Sequence, residues 1–140
     1  MRKRYSFSSR KTRRIENIRK QKQKYPQITE RIINDSDIII EVLDARFINE
    51  TRNSEIEDAI NKKQKIIIYA INKSDLIKKE DKIKLENFKP NALISCKKRT
   101  GIKNLRALIK RESKKIKKSQ EKFDKITIGI LGYPNTGKGR

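Results

Sequence analysis

Histidine and tryptophan are missing from this 140-residue sequence, cysteine and methionine occur once each, and aromatics make up 6%. Without histidine there is no imidazole base and no His-ligated metal site. A single thiol, Cys96, cannot form an intramolecular disulfide or a cysteine-cluster zinc site. No apolar run approaches the ~18–20 residues of a membrane span, so no membrane partner is expected. No hydrophobic core region follows the charged start, which argues against a secretory signal. A reducing, cytoplasmic setting is the expectation. At this length, with 34% hydrophobic residues, one domain with a modest core is the most the chain supports.

Basic residues are abundant, and they are segregated. Lys and Arg total 38 against 17 Asp and Glu, for a formal net charge of +21. Residues 1–24 carry 11 basic residues and one acid, and residues 97–122 carry 12 and two. Residues 25–96 are balanced, with 12 and 13. Two dense cationic blocks around a neutral middle point to a polyanionic partner, because neutralising phosphates releases condensed counterions. An even scatter would instead indicate a solvated surface. The first block is Arg- and Ser-rich, as in an organelle transit peptide. Its second half is dominated by Lys and Gln with a weak apolar stripe at Ile15 and Ile18, which favours a basic arm over residues 1–26, loose until it meets RNA.

From residue 27 onward the hydrophobic pattern alternates in kind. Ile28, Ile32 and Ile33 share one face of a short helix. The run from Asp37 to Leu43 reads as a strand buried on both faces. Ser54 and Glu57 stand at capping-box spacing before a helix to about Lys63 that would bury Ile56, Ala59 and Ile60. Lys65–Ile71 is a second strand, residues 79–88 are weakly helical, and Asn91–Ser95 is a short third strand. Gly101 to about Lys118 is an amphipathic helix with Leu105 and Leu108 inward, and Lys125–Leu131 is a fourth strand. Strands alternating with crossover helices predict a three-layer α/β domain over 27–140 with about four parallel strands. Ligands of such sheets bind beyond the carboxyl ends of the strands.

Three motifs occupy those ends. The fourth strand runs into Gly132-Tyr133-Pro134-Asn135-Thr136-Gly137-Lys138, the G-x-x-x-x-G-K phosphate-loop pattern. Its glycines let successive backbone N–H groups turn around an anion, and Lys138 would neutralise the outer phosphates. Gly132, Asn135, Thr136, Gly137, Lys138 and Gly139 are the candidate phosphate-binding residues. The pattern calls for a Ser or Thr after the lysine to ligate Mg²⁺, and this chain has Gly139. No metal ligand is therefore assigned. The second strand runs into Asn72-Lys73-Ser74-Asp75. A carboxylate here can accept from both N1–H and the exocyclic amine of guanine, a match that adenine cannot make. Asn72 would hold the purine edge and brace the phosphate loop, and the stem of Lys73 would cover the ring. The alternative is a capped helix start at Ser74 or Asp75. The third strand runs into Ser95-Cys96-Lys97, whose short residues let backbone N–H groups approach the guanine oxygen while Lys97 flanks the ring. Cys96 by itself also fits a small buried apolar residue.

Taken together, the motifs resemble those of the translation-factor-related GTPases, and among them the circularly permuted group. The order Asn72–Asp75, Ser95–Lys97, Gly132–Lys138 is the permuted one. Asp44-Ala45-Arg46 followed by Thr51-Arg52-Asn53 looks like the segment these proteins carry after their first strand. The resemblance covers roughly residues 30 to 138. It implies a P-loop GTPase fold, GTP or GDP as ligand, Mg²⁺ dependence, slow hydrolysis stimulated by a ribosomal subunit, and a role in ribosome assembly. The group continues past its phosphate loop into a helix, a threonine switch and an Asp-x-x-Gly magnesium motif. This sequence instead reads Gly139-Arg140, as a truncated or frameshifted reading frame would. The expectation is an incomplete domain, monomeric, with its phosphate-loop strand at an open sheet edge. It would bind guanine nucleotide weakly and hydrolyse it poorly, with no catalytic residue assigned. It would bind rRNA or a ribosomal subunit through segments 2–24 and 97–122. The alternatives are a non-enzymatic basic RNA-binding protein with a decayed GTPase core, and a small ribosome-associated structural protein.

Overall fold

Isoleucine dominates the segments that become extended. Its branched Cβ restricts χ1 and packs well on a pleated surface, so the triplets Ile38-Ile39-Ile40 and Ile66-Ile67-Ile68 favour strands. The computed structural model describes residues 26–83, 85, 88–119, 125–133 and 136–137. A helix α1 covers 26–35. There follow β1 (Ile38–Asp44), the one-turn α2 (Ile48–Thr51), α3 (Ser54–Lys62), β2 (Ile66–Asn72), a 3-10 turn (Ser74–Leu76) and α4 (Lys79–Ile83). The order ends with β3 (Asn91–Leu93), α5 (Ile102–Ser119) and β4 (Ile128–Gly132). The expected basic arm lies, Pro26 apart, outside the described residues.

The strands form one sheet in the order β3-β2-β1-β4, and each neighbouring pair is parallel. This is the α/β class with four parallel strands that the alternating pattern predicts. Parallel register puts Asp44 beside Asn72 and Val42 beside Gly132. The carboxyl ends of all four strands therefore share one edge. On one face Ile38, Ile40, Ile68 and Ala70 pack beneath Leu105, Leu108 and Ile109 of α5. On the other, Leu43, Tyr69 and Ile71 meet Leu85, flanked by Ile48 and Phe88. Each fully buried isoleucine contributes roughly 1.5–3 kcal/mol.

Two loops depend on backbone geometry. Between β3 and α5 the chain reverses through paired backbone hydrogen bonds of Ser95 and Thr100. Gly101 then enters α5 at φ +78°, where a Cβ would stand 2.0 Å from the Leu93 carbonyl oxygen, so a side chain is excluded there. The start of α3 differs from the capping-box expectation. Asn53 is the N-cap, its Oδ1 accepting from Ile56 N at 3.2 Å, and Ser54 is already helical. Glu57 does not reach back to the cap, because its carboxylate holds Arg52 in a two-pronged ion pair at 2.7 Å.

At the β4 edge the cover is thinner. Ile128 and Ile130 share a face with Ile38 and Ile40 but are 40% and 50% exposed. α5 lies against β1, β2 and β3. Among the described residues, β4 has β1 as its one strand neighbour.

One carboxyl sits inside. Glu41, in the middle of β1, is 2% exposed. Its Oε1 accepts from Asn53 N at 3.1 Å, and Oε2 has no hydrogen-bond partner among the described residues. Burial, opposed by that hydrogen bond and reinforced by the Glu57 carboxylate, pushes its pKa up to about 7 from 4.5. The folded state therefore keeps a proton that the unfolded chain releases. The resulting stability is fully present below the unfolded value and is lost as pH rises through about 7. Urea titrations should show the domain weakening by roughly 2–3 kcal/mol over that interval. Glu41→Gln, which mimics the protonated form, should flatten this limb. An unchanged pH profile in the variant would refute the assignment.

Candidate functional site

The shared carboxyl edge is organised by one side chain. Asn72 closes β2 and is 3% exposed. Its Oδ1 accepts from Cys96 N at 3.1 Å, and its Nδ2 donates to the Thr136 carbonyl at 2.8 Å. A donor on one side and an acceptor on the other fix the amide orientation, since the flipped carboxamide would satisfy neither. One residue thus joins the loops after β2, β3 and β4. Thr136 is buried, and its hydroxyl donates to the Tyr133 carbonyl at 2.8 Å, folding the loop back on itself. Gly137 follows at φ +94°, where a Cβ would come within 2.2 Å of Asn72 Nδ2. This position requires glycine on two independent grounds.

The turn after Asn72 is equally constrained. Lys73 is in the left-handed region, φ 62° and ψ 32°. Its ammonium lies 3.0 Å from Asp44 Oδ2. The 3-10 turn then presents Asp75, whose Oδ1 accepts from Ser95 Oγ at 2.7 Å. The Ser95 hydroxyl holds the Asp75 carboxyl below its usual range despite partial desolvation, helped by the charges of Lys98 and Lys97. Ser95 is itself buried, and its Oγ accepts from Lys98 N at 3.2 Å. Ser74 N donates to the Ile94 carbonyl at 3.1 Å, binding the two loops backbone to backbone. Asp75 is thereby held as an oriented, ionised acceptor at the rim.

The structure therefore brings Asn72, Lys73, Asp75, Ser95, Cys96, Gly132, Thr136 and Gly137 to one edge. Lys97 is exposed beside Ser95. Asn135, Lys138 and Gly139 lie outside the described residues.

Asp44, which the sequence reading singled out without a role, proves central to this edge. Its side chain is 5% exposed. Burial by itself would raise its pKa, but hydrogen bonds from the Arg46 side chain and backbone N–H, and from Lys73, more than offset that and hold it at about 2. Its backbone N donates to Thr51 Oγ1 at 3.1 Å. The Asp44-Ala45-Arg46 and Thr51-Arg52-Asn53 segments are thus one staple: Thr51 anchors the β1 end, Arg52 pairs with Glu57, and Asn53 caps α3. The available signal was register, because Asp44 and Asn72 end their strands side by side. Among the described residues no group of three acidic, Cys or His side chains is placed to hold a metal ion.

Asn72→Ala would leave both Cys96 N and the Thr136 carbonyl without their partner. A loss of about 2–4 kcal/mol is expected from denaturant unfolding. A loss below about 0.5 kcal/mol would mean that the three loops hold together without this bridge.

Comparison with protein-family models finds no match. Comparison with curated proteins does find similarity. The chain is 44% identical over 115 residues to a protein named as an uncharacterized GTP-binding protein of Methanocaldococcus jannaschii, covering 80% of this chain and 29% of that protein. It is 30% identical over 131 residues to GTPase grn1 of Schizosaccharomyces pombe, covering 81% and 28%. It is 34% identical over 116 residues to nucleolar GTP-binding protein 2 of Eremothecium gossypii, covering 77% and 22%. The homologues of this chain are GTP-binding proteins, and it spans less than a third of the length of each of these three.

Proposed function

We propose that the carboxyl edge of the sheet is a guanine-nucleotide site, and that the chain is the base-recognition part of a circularly permuted G domain working in ribosome biogenesis. The observation that carries this reading is the Asn72 bridge to Cys96 and Thr136. It gathers three loops at one edge, which supports a site for a purine with a phosphate tail. Asp75, kept ionised and aimed by Ser95, would take the N1–H and amine of guanine. The Lys73 stem, tied to Asp44, would cover one ring face, Lys97 would flank the other, and Cys96 would line the oxygen side. The turn at Thr136 and Gly137 would approach the phosphates, joined by Gly132, Asn135, Lys138 and Gly139.

The names of the relatives support GTP as ligand, with GDP implied by the resemblance, and one of them is named as nucleolar. Ribosomal RNA or a ribosomal subunit is the proposed macromolecular partner, met through segments 2–24 and 97–122. The motif order along the chain supports the permuted reading. Mg²⁺ belongs to the resemblance, yet Gly139 stands where the phosphate-loop pattern has its hydroxyl ligand. No step is assigned to a metal here. The role proposed for these residues is nucleotide binding, with hydrolysis by this chain alone negligible.

GDP at about a hundredfold excess over its Kd should stabilise the chain by roughly 2.7 kcal/mol, read as a rise in melting temperature. ADP should give no rise, and Asp75→Ala should abolish the GDP response. Equal shifts with GDP and ADP, or no shift with either, would overturn the proposal.

A further inference from the structure

A second feature starts beside that edge and runs away from it: α5 begins two residues after Thr100 and extends toward the amino ends of the strands. α5 spends its whole apolar face on the sheet, with Leu105, Leu108, Ile109 and Ile116 packed against the core. What remains outside is cationic. Lys103, Arg106, Lys110, Lys114 and Lys117 are all exposed. Their spacing of three and four residues keeps them within about 80° of arc along roughly 21 Å of helix. A second exposed row, Arg111, Lys115 and Lys118, runs alongside. The helix contains one acid, Glu112, and it is turned inward and 5% exposed. There it accepts from Arg111 Nε at 3.2 Å and Lys115 Nζ at 3.1 Å. Together with Lys89, these residues line a cleft of about 470 Å³ at the amino end of β3, the end of the sheet away from Asn72. Among the described residues, none of the five cations in the first row forms an ion pair with a carboxylate.

A basic amphipathic helix can serve a membrane surface, but only if its apolar face is free to enter the lipid. Here that face is already packed, half-buried, against the sheet. An acidic protein surface would be expected to bring apolar anchors into contact, and the outward arc offers charge with almost no hydrophobic area. A regular line of cations without apolar content matches a polyphosphate backbone, which is read by charge and spacing. We infer that the outward face of α5 docks the backbone of duplex RNA, with the Lys89–Arg111–Lys115 cleft seating a phosphate at one end. The inference rests on the RNA part of the proposed function and is independent of its nucleotide part. It gives that RNA a surface along the outer side of α5, with the Lys89–Arg111–Lys115 cleft at the end of the sheet away from Asn72.

The test uses the full chain and a short RNA duplex, titrated between about 50 and 200 mM salt. The triple variant Lys103→Gln, Lys110→Gln, Lys114→Gln should bind at least about tenfold more weakly and lower the magnitude of the salt slope by about 2. A control with the same charge change elsewhere, Lys78→Gln, Lys79→Gln, Lys82→Gln, should alter both far less. Equal effects of the two triples would show that net charge alone is sensed, and would overturn the inference. So would an α5 variant with an unchanged slope, equal binding of duplex DNA, or anionic vesicles binding as tightly as RNA. GDP-dependent stabilisation should persist in the α5 variant. If the parent chain shows no GDP response while the α5 dependence holds, the nucleotide reading fails and the docking surface stands.

Discussion

The carboxamide of Asn72 is the constraint on which the site depends. It is buried at the end of β2, and its two ends face opposite kinds of partner, a backbone N–H from one loop and a carbonyl from another. Such a bridge has no rotational slack, because turning it over breaks both bonds. The neighbouring geometry is fitted around it. Gly137 lacks a side chain where Asn72 already occupies the space. Lys73 bends into a left-handed turn immediately after it, which swings the next residues up to Ser95. A polar residue in so dry a place would be a liability in a hydrophobic core. Here it fixes loops that the sheet alone leaves unrelated.

A second tier of polar contacts supports the first. Asp44 ties Lys73 to the end of β1, and through Thr51 it fixes the connection into α3. Arg52 and Glu57 then close the α3 side, with the Arg52 guanidinium 5.2 Å from the centre of the Phe88 ring. The acidic residues of the balanced middle segment are in good part internal partners of this scaffold. The cationic excess on α5 has no such internal use, apart from the Glu112 contacts. Charge along this chain is thus divided between groups that build the edge and groups directed at an outside ligand.

Sheet class and strand positions follow from isoleucine runs and punctuation, and sequence reasoning reaches them directly. The boundaries shift by a few residues where packing decides, as at Lys125, which lies before the first ladder pair of β4 at Ile128. Spacing favours Ser54 and Glu57 as a capping box at the start of α3, whereas Asn53 has the extended backbone and the free acceptor. Glu57 was already committed to Arg52. In the site, motif spacing identifies which residues end the strands. It does not reveal that Asp44 holds Lys73 or that Ser95 aims Asp75, because those contacts cross 29 and 20 residues of chain. Nothing in the apolar run of β1 tells that Glu41 is buried with its Oε1 on Asn53 N and its Oε2 without a hydrogen-bond partner among the described residues, because Asn53 lies 12 residues away.

The placement of β4 bears on how such a sheet is assembled. β4 lies against β1, and the side chain of Asp37 accepts from Thr127 N across 90 residues. During synthesis β1 and β2 can pair early, while the other side of β1 waits for a strand 90 residues further along. Non-local closure of this kind is slow, and an unpaired strand edge is adhesive while it waits. The half-exposed Ile128 and Ile130 extend that hazard beyond closure. In this topology β4 acts as a clasp on the free side of β1.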